Sequence, residues 1–423
     1  MSLLEIALYA FAALTAGTGL VVAVVTVIHY RYRPPPTDAQ MRELFPQGVP
    51  RVTIFKPCKG ADPSLYDNLA SFMRLEGVPY EVLIGIADPW DPAVEIAQQI
   101  IRDFPQREVR LHFTGDKHAH NPKVVNLTHL QPHAQGDFFY VADSNIRVTP
   151  GLLKRLIAPF ADPRVALSYA MFRGVPGQSL GARVQAAIFC TLGMPSIAAA
   201  YRLLGIANLV GKSFVLRRTA LEKMGGFAHY ERYLVEDGLM GREVRAHGLK
   251  AVLVNEAVDV HLGEMSLQFL WAQQMRWAVL HKMAFWTLPI GELVWNPFFI
   301  ASVAGAAYLG GLHTAAAVLA AAAIHNQLID LIPFVLFGNR LRDIWLLVVA
   351  DAVMLGIVTT VWFHRDVVWR GQRFTLGKNT LILAAAPLGG PATLPAPLAP
   401  VHALPVRGDE DKKPRYALAG GKQ

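Results

Sequence analysis

The run Asp137-Phe-Phe-Tyr-Val-Ala-Asp143-Ser-Asn145-Ile-Arg147 decides the fold. It begins as a short apolar stretch bounded by turn-forming residues, and four others share that form: residues 51–57 (RVTIFKP), 80–88 (YEVLIGIAD), 109–113 (VRLHF) and 165–172 (VALSYAMF). Helical patterns alternate with them, which is the βαβ rhythm of a mostly parallel sheet. An α/β, Rossmann-like domain is therefore expected across residues 34–263. In such sheets ligands bind beyond the carboxyl ends of the strands, and two of the runs end in Asp88 and Asp143. There is no Walker loop, G-x-G-x-x-G, G-x-S-x-G or internal repeat.

The composition asks for a second environment. The 423 residues are 53% hydrophobic and 17% charged, against about 25% charged in soluble domains, so part of the chain uses lipid as its solvent. At about 150 residues per domain, two or three folding units are expected. A disulfide mini-protein is excluded, since Cys58 and Cys190 are the only cysteines and are expected to be reduced thiols. Lys and Arg number 40 against 32 Asp and Glu, a net charge of +8. That sign favours anionic partners such as lipid headgroups, nucleic acid or nucleotide phosphates.

The apolar excess can be located. Ile6 to Ile28 is free of formal charge and exceeds the ~20 residues that cross a bilayer as a helix. A cleaved signal peptide would place its basic residues before the run, whereas Arg31 and Arg33 follow it. Residues 1–33 thus read as a retained anchor, and the positive-inside rule puts the next domain in the cytoplasm. Leu293 to Ile329 is uncharged too and would span about 55 Å as one helix, too long for a ~30 Å hydrocarbon core. Gly310-Gly311 supplies a break, and Ile344 to Phe363, carrying Asp351, follows. Residues 291–364 form a membrane helix cluster on this reading. Three crossings would put the tail outside, yet Arg365, Arg370, Arg373 and Lys378 argue for inside. Residues 365–423 are a tail, expected to be largely disordered after about 380. Residues 264–290, with Gln273, Arg276 and Trp277, look like an interfacial amphipathic helix. Residues 184–210 suit a buried core or a lipid-receiving surface equally.

Several polar residues carry two readings. Asp143 at a strand end can hold Mg²⁺ or Mn²⁺ against a diphosphate, since these ions favour oxygen ligands and phosphates; it can equally cap a helix or a turn. Asp88 has the same ambiguity. Lys123 in Asn121-Pro-Lys123 adds a charge to amide donors at a helix start that favour phosphate, or is simply solvated. Lys56 and Pro57, in Lys56-Pro-Cys-Lys-Gly60, are similarly placed after the first strand. Glu236-Asp237 opens a helical pattern, where acids complement the dipole; adjacent acids also repel, which can leave one as a general base.

Taken in order, these pieces resemble the inverting GT-A glycosyltransferases that use nucleotide sugars, and most closely the ceramide glucosyltransferase family. The residues that carry the resemblance are Lys56 to Gly60, Asp62-Pro63, Asn68-Leu69, Tyr80-Glu-Val-Leu, Asp88, Asp91-Pro92, Asn121-Pro-Lys123 and Asn126-Leu127. Asp143 to Val148, Arg217, Gly225-Gly226, Glu236-Asp237, Gln273-x-x-Arg276-Trp277, Trp369-Arg370-Gly371 and Arg373 continue it, over roughly residues 1–380. The resemblance implies a GT-A domain with α-helical transmembrane segments. The implied reaction transfers a sugar from a UDP-sugar, UDP-glucose being the donor, to the primary hydroxyl of ceramide or a similar lipid. Lys56, Pro57, Asp88, Lys123 and Asp143 would contact the UDP-sugar, and Asp143 would bind a divalent cation, Mn²⁺ or Mg²⁺. Asn145 replaces the second acid of a strict D-x-D pattern. Asp237 would be the base, with Glu236, Gln273, Arg276 and Trp277 on the acceptor and diphosphate side. The setting would be a membrane with the catalytic domain cytoplasmic, bacterial inner membrane or Golgi/ER in a eukaryote.

Ala161-Asp-Pro-Arg-Val and Arg173-Gly-Val-Pro look like hopanoid-modifying relatives that transfer N-acetylglucosamine from UDP-GlcNAc to a bacteriohopane polyol. A processive polysaccharide synthase shares the carboxylates and Gln-x-x-Arg-Trp but needs more membrane helices. From another class, the chain could be a non-catalytic membrane receptor or scaffold with a nucleotide-binding domain. A transporter is disfavoured by its few intramembrane acids, chiefly Asp330 and Asp351. No nucleic-acid motif and no protein partner is readable.

Overall fold

The computed structural model describes residues 1–62, 64–117, 120–284, 287–369 and 371–388. The apolar runs become β1 (Val52–Cys58), β2 (Tyr80–Ile86), β3 (Val109–Phe113), β4 (Phe138–Ala142) and, after the short β5 (Ile146–Arg147), β6 (Val165–Pro176). With β7 (Ser213–Arg217) and β8 (Lys250–Gly263) they build an eight-stranded sheet in the order β3-β2-β1-β4-β7-β6-β8-β5. The half β3-β2-β1-β4 is parallel, with Phe55 of β1 between Leu83 and Val141. β4 is apolar and buried along its whole length and β1 and β2 nearly so, as in a sheet half covered by helices, whereas the edge strand β3 stays half-buried.

The sheet is mixed beyond β4. β6 and β8 pair in parallel, whereas β7 runs antiparallel to β4 and β6. The cause is the path of the chain. β6 leaves the sheet into the helix Leu180–Leu204, and the chain returns from that same end, entering β7 at Ser213 opposite Ala142.

Four helices among the described residues are long and apolar enough to cross a membrane: Leu3–Tyr30, Leu180–Leu204, His313–Leu336 and Trp345–Phe363. The pair Leu288–Trp295 and Pro297–Leu309, bent by 61°, makes a fifth if taken as one span. Leu180–Leu204 cannot be a simple crossing, because β6 before it and β7 after it hydrogen-bond within one sheet. Half of its apolar window is buried inside the protein, so it serves as core on one face and as an apolar surface on the other. A π-helical segment at Phe189–Gly193 interrupts it.

The helix Leu3–Tyr30 packs against the helices His313–Ile329 and Met194–Leu204. At its end the buried His29 is held by both ring nitrogens, Nε2 to Val254 O (3.2 Å) and Nδ1 accepting from Arg202 Nε (3.0 Å). Tyr30 meets Phe337 edge-on, with centroids 5.1 Å apart. The membrane helices and the sheet therefore share a continuous contact rather than a loose tether.

The tail differs from expectation at its start. Residues 367–387 form a second sheet of β9 (Val367–Trp369), β10 (Gln372–Leu376) and β11 (Ile382–Pro387). It persists past residue 380 because Val367, Phe374, Ile382 and Ala385 are buried in one cluster with Met275, Val279 and Ile357. Residues 389–423, the remainder of the expected disordered tail, lie outside the described residues.

Candidate active site

Asn121 caps the helix Pro122–Leu130, its Oδ1 accepting from the Lys123 and Val124 amides, and Pro122 occupies a first-turn position where a missing N–H costs nothing. That cap orients Lys123 inward. Its ammonium lies 3.0 Å from Asp143 Oδ1 and 3.5 Å from Glu236 Oε1, and donates to Gly211 O at 2.5 Å. Lys212 approaches the other Asp143 oxygen, Oδ2, at 3.4 Å. One carboxylate thus stands between two ammonium groups at the carboxyl end of β4.

The electrostatics follow from this packing. Burial would raise the Asp143 carboxyl, but Lys123 and Lys212 outweigh it and hold the group down at about 2. Burial likewise disfavours the charge on Lys123, yet Asp143, Glu236 and Asp237 hold its ammonium above the ordinary lysine range. Glu236 goes the other way: burial, only partly offset by Lys123 and reinforced by Asp237, pushes it well above the usual carboxylate range. Its Oε2 accepts from Asn121 Nδ2 at 2.9 Å.

Asp237 is half-buried and held by two backbone amides. Gly211 N–H donates to Oδ2 at 2.5 Å and Gly238 N–H to Oδ1 at 2.6 Å. Gly211 has no room for a side chain, since a Cβ there would stand 2.8 Å from Asp237 Oδ2. The segment Gly211-Lys212 therefore connects Asp143 and Asp237, touching both. Sequence reasoning passed over it; its only local signal is a Gly-Lys pair directly before the apolar run of β7.

The other expected residues fall into three groups. Lys56 is fully buried, 4.0 Å from the centre of the Phe72 ring, and its ammonium donates to Asp143 O at 2.6 Å. Strand register turns it inward, where it braces the Asp143 loop. Burial lowers its basicity, to about 8. Pro57 is half-buried on the same strand. Asp88 is exposed at the end of β2, accepting from Trp90 N–H at 2.9 Å. Asp91 accepts from Gly60 N–H at 2.8 Å and so ties this loop to the one after β1.

Gln273, Arg276 and Trp277 lie on the helix Leu267–Ala284. Trp277 stacks on Phe189 of the π-helical segment, centroids 5.7 Å apart, and Arg276 faces the Trp369 ring of β9 at 6.0 Å. Gln273 Oε1 is buried without a hydrogen-bond partner. Near the end of the same helix His281, whose imidazole is made less basic by the atoms packed around it, is pulled back up by the Asp237 charge. The helix thus reaches the neighbourhood of Asp237 through its last turns, while the Gln-x-x-Arg-Trp residues face the aromatic wall and the tail sheet.

Among the described residues no group of three or more His, Cys, Asp or Glu is arranged to hold a metal ion. Asp143 alone supplies a carboxylate at the strand end, and Asn145 adds a buried amide oxygen that has no hydrogen-bond partner. These are hard oxygens of the kind that suit Mg²⁺ or Mn²⁺, which commonly take one or two protein carboxylates and complete their shell from phosphate and water.

The model of Glycosyl transferase family 21 matches residues 11–382. The chain belongs to that family. Ceramide glucosyltransferase 1 of Caenorhabditis elegans is 25% identical over 294 residues, covering 67% of this chain and 59% of that protein. A ceramide glucosyltransferase of Gibberella zeae is 32% identical over 180 residues, covering 37% and 33%. The chain thus spans between one third and three fifths of these relatives' lengths. Among solved structures, a mannosyltransferase from Pyrobaculum calidifontis in complex with GDP-Man and Mn²⁺ aligns with a TM-score of 0.46 at 14% identity, covering 85% of this chain and 98% of that one. The family 21 match covers the whole sheet, the carboxylate cluster, the membrane helices and the first residue of β11.

Proposed function

We propose that this chain is a membrane-bound, inverting hexosyltransferase that moves a sugar from a UDP-sugar, UDP-glucose by family analogy, to the primary hydroxyl of ceramide or a closely similar lipid. The observation that carries the reading is the Asp237 carboxylate, fixed by two amides and joined through Gly211-Lys212 to the ammonium-flanked Asp143. The first end suits a base and the second a diphosphate.

Asp237 takes the proton of the lipid hydroxyl, whose oxygen attacks the anomeric carbon from the face opposite the diphosphate. The bond to the UDP oxygen breaks, its electron pair leaves with UDP, and the configuration inverts. Lys123 and Lys212 stabilise the negative charge gathering on the diphosphate in a partly buried setting where such charges act strongly. Asp143 and Asn145 would hold a divalent cation, which would neutralise part of the same charge. Lys56 fixes the loop that carries both residues, and Asp88 reaches the nucleoside from the end of β2. The apolar face of Leu180–Leu204 and the Phe189–Trp277 wall receive the lipid. Arg31 and Arg33 after the first helix favour a cytoplasmic catalytic domain.

The test is the purified protein with a panel of UDP-sugars against ceramide and bacteriohopanetetrol, with and without Mn²⁺. Transfer to ceramide, lost in Asp237→Asn, is the expected result. Transfer only to the hopanoid overturns the acceptor assignment; unchanged UDP release by Asp237→Asn overturns the base, and UDP-sugar binding without UDP release in the wild-type protein favours a non-catalytic nucleotide-binding role.

A further inference from the structure

The start of the helix Glu236–Ala246 lacks the usual local device. Its cap residue is Val235, which has no side-chain hydrogen bond to offer, although Ser, Thr, Asp or Asn is preferred there. The segment leading into the helix is instead held from the tail sheet. Leu234 N–H donates to Thr380 O at 3.2 Å and Val235 N–H to Thr380 Oγ1 at 3.1 Å. Ile382 N–H donates to Arg232 O at 2.7 Å, and Arg232 Nη2 returns a bond to Ile382 O at 3.0 Å. Arg242, one turn and a half into the helix, donates to Asn379 Oδ1 at 3.3 Å.

The backbone at this contact is unusual. Asn379 and Thr380 are the only non-glycine residues with positive φ among the described residues, at 57° and 63°. Asparagine tolerates that conformation, but a β-branched residue avoids it. Thr380 is nevertheless fully buried there. Strain of this kind persists only where surrounding interactions over-determine it, and it concentrates at functional sites. The hydrogen bonds above supply the over-determination, and all but the one from Arg242 end at residues 232–235, which lead up to Glu236 and Asp237.

We infer that Thr380 is a positioning residue for the Asp237 carboxylate: its hydroxyl and carbonyl, presented by the tail sheet, fix the approach of residues 232–235 and so the direction in which Asp237 points. The carboxylate oxygens accept from the Gly211 and Gly238 amides, which reward one orientation. A loop that slips at Val235 would break that alignment first, because the Lys123–Asp143 side, although linked to Tyr233 and Glu236, keeps supports of its own in the Asn121 Oδ1 cap and in Lys212. This inference rests on the reading of Asp237 as the base.

The experiment compares Thr380→Val, which keeps shape and loses the hydroxyl, with Thr380→Ser, which keeps the hydroxyl, in full-length protein, measuring transfer kinetics and UDP binding. A carboxylate displaced by about an ångström costs up to ~10²-fold in rate. Thr380→Val is therefore expected to lose between about ten- and a hundredfold in kcat, with UDP affinity and the KM for UDP-sugar within about twofold of wild type, and Thr380→Ser to recover most of the rate. A Thr380→Val enzyme with wild-type kcat overturns the inference, as does a parallel loss of kcat and UDP binding that Thr380→Ser shares. Asp237→Asn is assayed beside them. If it remains active, the base assignment fails; if it is inactive while Thr380→Val turns over normally, only the role of Thr380 fails.

Discussion

Gly211 and Asp237 are in contact so close that one methyl group would break it: the Gly211 amide donates to Asp237 Oδ2 at 2.5 Å, and a Cβ on Gly211 would stand 2.8 Å from that same oxygen. Gly211→Ala must push the carboxylate aside or turn the loop. The expected outcome is a loss of up to ~10²-fold in kcat with a smaller fall in UDP binding, because Lys123, though it also bonds Gly211 O, keeps its contacts with Asp143 and Glu236. Steady-state transfer kinetics with UDP binding on the same sample check it. A fully active Gly211→Ala enzyme would show that Asp237 is not the group that must be aligned.

Glu236 gives a pH signature. Burial raises its carboxyl above the unfolded value, so the stability it contributes is present at low pH and is lost as pH rises through the raised value. Asp143, held down at about 2, works in the opposite sense: its contribution is present above the unfolded value and lost as pH falls toward 2. Thermal unfolding of the detergent-solubilised protein should show a smaller loss of Tm between mildly acidic and neutral pH in Glu236→Gln than in the wild type. The histidines titrate alike in both proteins, so the difference isolates Glu236. Parallel curves would remove this assignment.

Asn121 serves two masters. Its Oδ1 caps the Pro122–Leu130 helix and its Nδ2 donates to Glu236 Oε2 and to Tyr233 O, both at 2.9 Å. Asn121→Ala loses a cap, about 1 kcal/mol, and leaves a buried carboxyl short of a partner, about 1–3 kcal/mol. A total near 2–4 kcal/mol should appear as a lowered Tm together with reduced transfer. Loss of the cap alone, at the lower end and with normal activity, would mean that Glu236 finds another donor.

Divalent cation dependence can be separated from lysine neutralisation. If Asp143 and Asn145 hold the ion, chelator should lower turnover at least about tenfold, and Mn²⁺ should restore it. Residual UDP binding in chelator is expected from Lys123 and Lys212, and should fall further in Lys212→Met. Full activity in chelator would leave Asp143 as a partner of the two lysines only.

Much of this arrangement was legible from residue order. β1 to β4 and β6 stood out because strands buried on both faces are short apolar runs between turn residues. β7 was missed because Ser213–Arg217 is brief and lacks a turn signal of its own, and β8 because Asn255, Glu256 and Asp259 interrupt its apolar pattern. Lys123, Asp143, Glu236 and Asp237 were each visible as ambiguous pieces, and folding removes part of the ambiguity by bringing three of them onto one ammonium. Lys56 was visible only as an ambiguous cation, since its inward direction depends on the register of β1. Gly211 and Thr380 could not be read at all: one acts through the absence of a side chain, the other through a partner 145 positions away. The Pro- and Ala-rich composition beyond Thr380 also masked the ordered strand Ile382–Pro387.

The docking of that strand constrains an arithmetic of sides. Residues 380–382 hydrogen-bond to residues 232–235, so the tail sheet and the carboxylate cluster occupy the same compartment. Whatever path the chain takes between Ala284 and Val367, it must pierce the bilayer an even number of times. If His313–Leu336 and Trp345–Phe363 each cross, they form such a pair, and the 61° bent pair Leu288–Trp295 and Pro297–Leu309 would then have to leave the membrane on the side it entered. The basic residues Arg365, Arg373 and Lys378 then lie on the same face as Arg31 and Arg33, and the contradiction between charge and crossing number disappears.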